Sequence, residues 1–297
     1  AQAAIVGAGA CGALAAPPPP LHQGWMAHQG GGSSAVRLIV FDFDQTLSVV
    51  HVFKSLAGWP GRNGSGQKGF LQVPAPFATS EEGQMCRIEE LNRAEYREAG
   101  GFARVAFGGQ PRVEQVRDCL SCLRREGAEL VICTKGLVGA VKKCLHDLDL
   151  LQHFGEVYGN IGTSYGETPY DQQQAAEKAS EQLYAEARQF KGRSDQANWG
   201  TKDRLIGTLM SARDLRRDQC VFVEDDPSEI QRAERVCRTM FVRDAAGVTQ
   251  EHMAALLKMA AGGSVIGNDT NSASCPPSSN GLEPPRLSAA NRRCQIQ

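Results

Sequence analysis

A short, uninterrupted apolar run, Leu38-Ile39-Val40-Phe41, stops at the acidic turn Asp42-Phe43-Asp44-Gln45-Thr46. A run of this length is too short for a helix and lacks the alternation of a half-exposed strand. It suits a strand covered on both faces, as strands of parallel sheets are. The same signature recurs at Leu130-Val131-Ile132-Cys133 and Cys220-Val221-Phe222-Val223, and more weakly at Val157-Tyr158 and Met240-Phe241-Val242. Helical spacing fills the intervals. Val113, Val116, Leu120 and Leu123 mark one helix, which Gly127 stops, and Val138, Val141, Leu145 and Leu148 mark the next. A long solvated helix is expected over 171–190 with Asp171 as its cap, another after Thr201 to about 213, and a third from about 227 behind Glu224-Asp225-Asp226. Strands alternating with helices predict an α/β chain with a Rossmann-like, doubly wound parallel sheet.

The rhythm breaks once. Between the first strand and the helix near 112 lie many glycines and little periodicity, so residues of about 49–110 are expected to form a small cap or lid inserted after the first strand. Phe53, Trp59, Phe70 and Phe77 are expected to supply its own small core, with the lining of a substrate pocket as the second reading. Residues 1–35 are rich in Ala, Gly and Pro and are expected to be disordered, as is the Gly-, Ser-, Asn- and Pro-rich tail over 263–297. The folded domain is therefore 36–262. Gly7-Ala8-Gly9-Ala10-Cys11-Gly12 matches a dinucleotide fingerprint. With no strand before it and four prolines at 17–20 after it, it reads as a chance match.

Bulk properties narrow the partners. The 32 basic and 33 acidic residues leave a formal charge of -1, so no global basic field steers the chain to nucleic acid or to an anionic membrane. No apolar run is long enough to span a bilayer. The ten cysteines sit mostly inside apolar runs, which fits reduced thiols and a cytoplasmic location better than a disulfide scaffold. Cys119 and Cys122 form a CxxC within a helical pattern, with no second ligand pair to complete a zinc site. They read as core thiols. Oligomeric state is not legible.

In a doubly wound sheet, ligands bind beyond the carboxyl ends of the strands. At those ends stand Asp42 and Asp44; Thr134, Lys135 and Gly136; and Glu224, Asp225 and Asp226, while Lys202 opens the helix leading into the fourth strand. Converging carboxylates cannot all stay ionised without compensation, and an all-oxygen set suits Mg²⁺ rather than zinc. Mg²⁺ with a lysine and a hydroxyl makes a site for a phosphoryl group. Asp42, at the strand end, is then the natural nucleophile, and Asp44, two residues on, the natural acid and base.

These residues carry a resemblance to the haloacid dehalogenase superfamily over about 37–245, less the insertion. Its DxDx[TV] motif stands as Asp42, Asp44 and Thr46; its strand ending in Thr or Ser, as Leu130 to Thr134; its helix-opening lysine, as Lys202; and its acidic pair, as Glu224-Asp225. All four occur in the family's order. Lys135 and Lys191 compete for the lysine role. The resemblance implies a Mg²⁺-dependent phosphatase acting through an aspartyl-phosphate. Asp42 and Asp225 would bind metal through side chains, Asp44 through its carbonyl, with Glu224 assisting, while Thr134 and Lys202 hold phosphoryl oxygens.

A phosphorylated small molecule is the expected substrate, and a phosphoprotein is a second class open to the site. Two other readings remain: a phosphomutase or phosphotransferase, suggested by the Glu-Asp pair, and a non-catalytic interaction protein using its tails and insertion. His51, close to the first motif, is a candidate to face the lid, and His146 is expected to be structural or exposed.

Overall fold

The computed structural model describes residues 34–59, 69–176, 188–197, 200–243 and 247–263. The segments read as disordered, 1–35 and 263–297, fall almost wholly outside these residues. So do the glycine pattern at 7–12 and the middle of the expected helix over 171–190.

Five parallel strands form one sheet in the order β3-β2-β1-β4-β5. They are β1 (Leu38–Phe41), β2 (Glu129–Leu137), β3 (Glu156–Asn160), β4 (Cys220–Glu224) and β5 (Arg238–Phe241). The apolar runs become strands because both faces are covered. Ile39, Phe41, Leu130, Ile132, Val221 and Val223 belong to one buried cluster, with residues of α4 (Gln110–Arg125), α5 (Val138–Asp147) and α9 (Gln250–Ala260). The alternate residues Leu38, Val40, Val131, Cys133, Cys220 and Phe222 face the other way, onto Ile206, Leu209 and Met210 of α7 (Lys202–Ser211) and Ala233 of α8 (Pro227–Ala233). This is the doubly wound sheet that the alternation predicts.

Register then places the strand ends. Phe41 lies opposite Ile132 on one side and Val223 on the other. The following amide, Asp42 N, still donates to Val223 O at 2.9 Å. The chain leaves β1 for β2 and β3 on one side and returns to β4 on the other, so the crevice of the sheet opens at β1, where Asp42 stands.

Several expectations need correction. The second strand runs on past Thr134 to Leu137, with a register irregularity between Cys133 and Leu137 where Thr134, Lys135 and Gly136 bend through the site. The helix expected to start behind Asp171 is α6 (Pro169–Ala176), and Asp171 lies inside its first turn. Pro169, whose fixed φ suits a first helical position, starts the helix earlier. Asp171 is buried rather than solvated, and accepts N–H groups of Thr79, Ser80 and Thr168. Thr201 does precede α7, but its side chain makes no capping bond.

The stretch after β1 contains α1 (Val52–Leu56), α2 (Glu81–Arg93) and α3 (Phe102–Ala106). Its aromatic residues do not build a core of their own. Phe53, Leu56, Ile88, Leu91 and Phe102 join the cluster that contains Ile39 and Phe41, while Trp59 and Phe77 remain exposed. The described part of the insertion has too few apolar residues to close a separate interior, and it uses the main one. Cys119 and Cys122 are buried on α4, as their helical setting predicts. Among the described residues no helix is long and apolar enough to cross a membrane.

Candidate active site

Beyond β1 the chain folds into a tight turn. Thr46 N, Leu47 N and Ser48 N all converge on Phe43 O, and Gln45 adopts a left-handed φ of 62°. The turn keeps both carboxylates at the same pocket. Asp42 is 3% exposed and Asp44 7%.

Lys202 reaches this edge from the first turn of α7. Its Nζ donates to Asp42 Oδ1 and Glu224 Oε2, each at 2.6 Å. All three side chains are buried. Glu224 ends β4, and its other oxygen, Oε1, accepts the backbone N–H groups of Asp225 (3.1 Å) and Asp226 (3.0 Å). Glu224 therefore does two jobs in the protein alone: it aims the lysine and shapes the turn carrying Asp225. Thr46 Oγ1 lies 3.4 Å from Asp225 Oδ1, tying the first and last motifs together.

The electrostatics follow from burial. Asp42 is pushed up to about 7 by desolvation and by the negative charge of Glu224, against the pull of Lys202. Glu224 rises to about 7, again through burial, with Lys202 opposing. Asp225 rises to about 6 through burial and the charge of Asp42. Burial alone would depress the Lys202 ammonium, but Asp42 and Glu224 outweigh it and hold the lysine well above its ordinary value. These are the signs of a site with more negative charge than its own cation can balance.

A divalent cation suits that imbalance. Asp42, Glu224 and Asp225 each offer an oxygen within 4.8 Å of the others. Three carboxylates against one lysine leave two negative charges, and the donors are all oxygen, the set that Mg²⁺ takes. Because both Glu224 oxygens already have partners, Asp42 and Asp225 are the better placed ligands, with Glu224 beside them.

The other expected residues divide. Thr134 is buried at the site, and its Oγ1 accepts from Gly136 N at 2.9 Å, which leaves its own O–H to donate elsewhere. Gly136 contributes space: a Cβ there would lie 3.2 Å from Thr134 Oγ1 and 3.4 Å from Asp44 Oδ2. Lys135 sits at the rim, its side chain 60% exposed, and pairs with Glu229 at 2.7 Å and Asp226 at 3.7 Å. Lys191 pairs with Glu82 at 3.1 Å, not with the strand-end carboxylates. Of the three lysines, Lys202 is the one that donates to Asp42 and Glu224. Asp226 is the N-cap of α8, accepting from Ser228 N at 2.8 Å. His146 is largely exposed and packs on Phe190, as expected of a structural histidine.

A cavity of about 360 Å³ opens over these groups, lined by Asp42, Asp44, Thr134, Lys202 and Asp225, together with His51 and Lys54 from the insertion. His51 is the sequence's candidate to face the lid, but its partner is not legible there, and Lys54 is not singled out at all. His51 Nδ1 lies 3.2 Å from Asp44 Oδ2. Lys54 faces the cavity although nothing in its spacing marks it. Only closeness to the first motif in the chain points to either.

No protein-family profile matches the chain, and no curated protein matches it. Among solved structures it is similar to a haloacid dehalogenase-like hydrolase from Streptococcus pneumoniae, at 16% identity, over 74% of this chain and 90% of that one, with a TM-score of 0.33. It is similar to a subfamily IA hydrolase of the same superfamily from Geobacter sulfurreducens, at 14% identity over 79% and 100% of the two chains, with a TM-score of 0.34. It is also similar to the N-terminal part of a Bacteroides fragilis protein that contains a phosphatase domain complexed with Mg, at 14% identity over 75% and 40%, with a TM-score of 0.39. At these TM-scores the likenesses carry no argument about chemistry. The resemblance of this chain to the haloacid dehalogenase superfamily stands on its own residues: Asp42, Thr134, Lys202 and Glu224-Asp225, in that order, meet at one end of a parallel sheet.

Proposed function

We propose that the chain is a magnesium-dependent phosphomonoester hydrolase in which Asp42 attacks phosphorus. The observation that supports this most directly is the buried Lys202 ammonium, 2.6 Å from both Asp42 and Glu224, at the edge where Asp225 also stands. Such a lysine orients Asp42 by one oxygen and leaves the other for attack.

The chemistry then runs through residues of the chain. Asp42 forms a bond to phosphorus as the bond from phosphorus to the ester oxygen breaks. Asp44 gives its proton to that departing oxygen. Water next attacks the aspartyl-phosphate, returns a proton to Asp44, and releases inorganic phosphate and the free Asp42 carboxylate. The Thr134 hydroxyl and the Lys202 ammonium bind phosphoryl oxygens in both steps. Bound Mg²⁺, held by Asp42 and Asp225 with Glu224 adjacent, supplies further positive charge against the phosphoryl group. The cavity volume suits a phosphorylated small molecule.

The test is release of para-nitrophenol from its phosphate ester with and without Mg²⁺, for the wild type and Asp42→Asn. Turnover that needs both the metal and Asp42 is the expected result. Undiminished turnover in Asp42→Asn would rule out its role as nucleophile.

A further inference from the structure

We infer that His51 is a positioning residue for Asp44, a role that rests on the phosphatase reading above. Asp44 is held from two directions. Its Oδ1 accepts Val52 N at 2.6 Å and Phe53 N at 3.4 Å, the amides that open α1. With Oδ1 committed to backbone donors, Oδ2 is the oxygen available to exchange a proton over the cavity. Within reach of Oδ2 is His51, whose Nδ1 lies 3.2 Å away. That nitrogen is buried and makes no aligned hydrogen bond to any described residue, so Asp44 is the partner its surroundings offer it.

The ring is fixed in turn. His51 N donates to Gly69 O at 2.7 Å, and the imidazole stacks on Phe70 with centroids 6.1 Å apart and planes 19° from parallel. Across the carboxylate stands Gly136, where a Cβ would come into contact with Oδ2 at 3.4 Å. A carboxylate oxygen has two lone pairs. Donation from His51 Nδ1–H to one of them orients the other toward the cavity, where it delivers a proton to the leaving oxygen and later takes one from water. His51 itself neither gains nor loses a proton in this scheme.

The consequence is selective. An aryl phosphate leaves as a weak base and needs little acid, whereas an alkyl phosphate depends on the proton from Asp44. His51→Leu should lower kcat on an alkyl phosphate by about tenfold or more, and on para-nitrophenyl phosphate by less than about threefold. His51→Asn, whose amide can donate from near the Nδ1 position, should recover most of the loss. In an Asp44→Asn background, His51→Leu should add little. A melting curve for each variant separates misfolding from misplacement. Equal losses on both substrates, no difference between His51→Leu and His51→Asn, or additivity with Asp44→Asn would each overturn the role. A wild type with no metal-dependent turnover would instead refute the phosphatase reading, and with it the reaction that His51 serves.

Discussion

Glu81, the first residue of α2, is only 1% exposed, and its carboxylate has backbone partners on every side. Oε1 accepts Gly139 N at 2.7 Å and Gly192 N at 2.8 Å, and Oε2 accepts Gly162 N at 2.8 Å. One side chain thus joins the insertion to the start of α5, to the loop after β3, and to the segment before α7. Both Gly139 and Gly192 are needed for this approach, since a Cβ at either would come within about 3 Å of Glu81. Glu81→Ala removes three charge-assisted bonds and leaves one buried and two half-buried amides without their acceptor. An unsatisfied buried donor costs roughly 1–3 kcal/mol, and the half-buried pair recovers part of that through water. Releasing the carboxylate from its buried setting offsets a further part, so the net loss is about 3 kcal/mol. For a domain of this size that lowers Tm by about 10 °C. The assay is thermal unfolding followed by far-ultraviolet circular dichroism. Glu81→Gln should fall between wild type and Glu81→Ala, because its amide keeps one acceptor oxygen but presents a donor to one of the N–H groups. A Glu81→Ala protein melting within about 2 °C of wild type would refute the reasoning.

Two further predictions concern the strand-end charges. Lys202→Met strands Asp42 and Glu224 as buried like charges, and breaking a buried pair this way costs about 3–5 kcal/mol. The variant should lose turnover and melt well below wild type without metal, and a melting temperature unchanged by the substitution would count against a stabilising pairing of Lys202 with Asp42 and Glu224. The pH dependence has an opposite sense to that of ordinary carboxylates. Asp42 rises from 3.8 to about 7 and Glu224 from 4.5 to about 7, so between these limits the folded chain binds more protons than the unfolded one. Stability of the metal-free protein attributable to these groups therefore falls as pH rises from about 4 to 7. Mg²⁺ competes with those protons, and its stabilising effect in thermal melts should be larger at about pH 8 than at about pH 5. An equal Mg²⁺ effect at both pH values would contradict the assignment of Asp42 and Asp225 as ligands.

Much of the fold was legible because its causes are local. Leu38 to Phe41, Leu130 to Cys133 and Cys220 to Val223 are strands since only a two-faced interior accepts such runs, and alternation with helices leaves few topologies. The site was legible for the same reason: in a doubly wound sheet the residue after each apolar run must arrive at one edge, so Asp42, Thr134 and Glu224 announce themselves. Asp171 misled because a cap and a buried staple share the same residue type, and Pro169 decided between them.

What only the tertiary structure decided are the partners brought together from distant parts of the chain. Lys202 and Lys191 open or precede helical segments alike, and only the packing of α7 against β4 gives Lys202 to Asp42 and leaves Lys191 with Glu82. Nothing in the residues around Glu81 announces that three amides from 139, 162 and 192 will meet on it. His51 touches Asp44 because the turn at Phe43 and Gln45 doubles the chain back on itself, a matter of dihedral angles rather than of composition. Periodicity reports which side of an element is buried, because burial is an average over one element's own spacing. It carries no record of which groups meet across elements, and that is where charges, hydrogen bonds and the chemistry of this chain are settled.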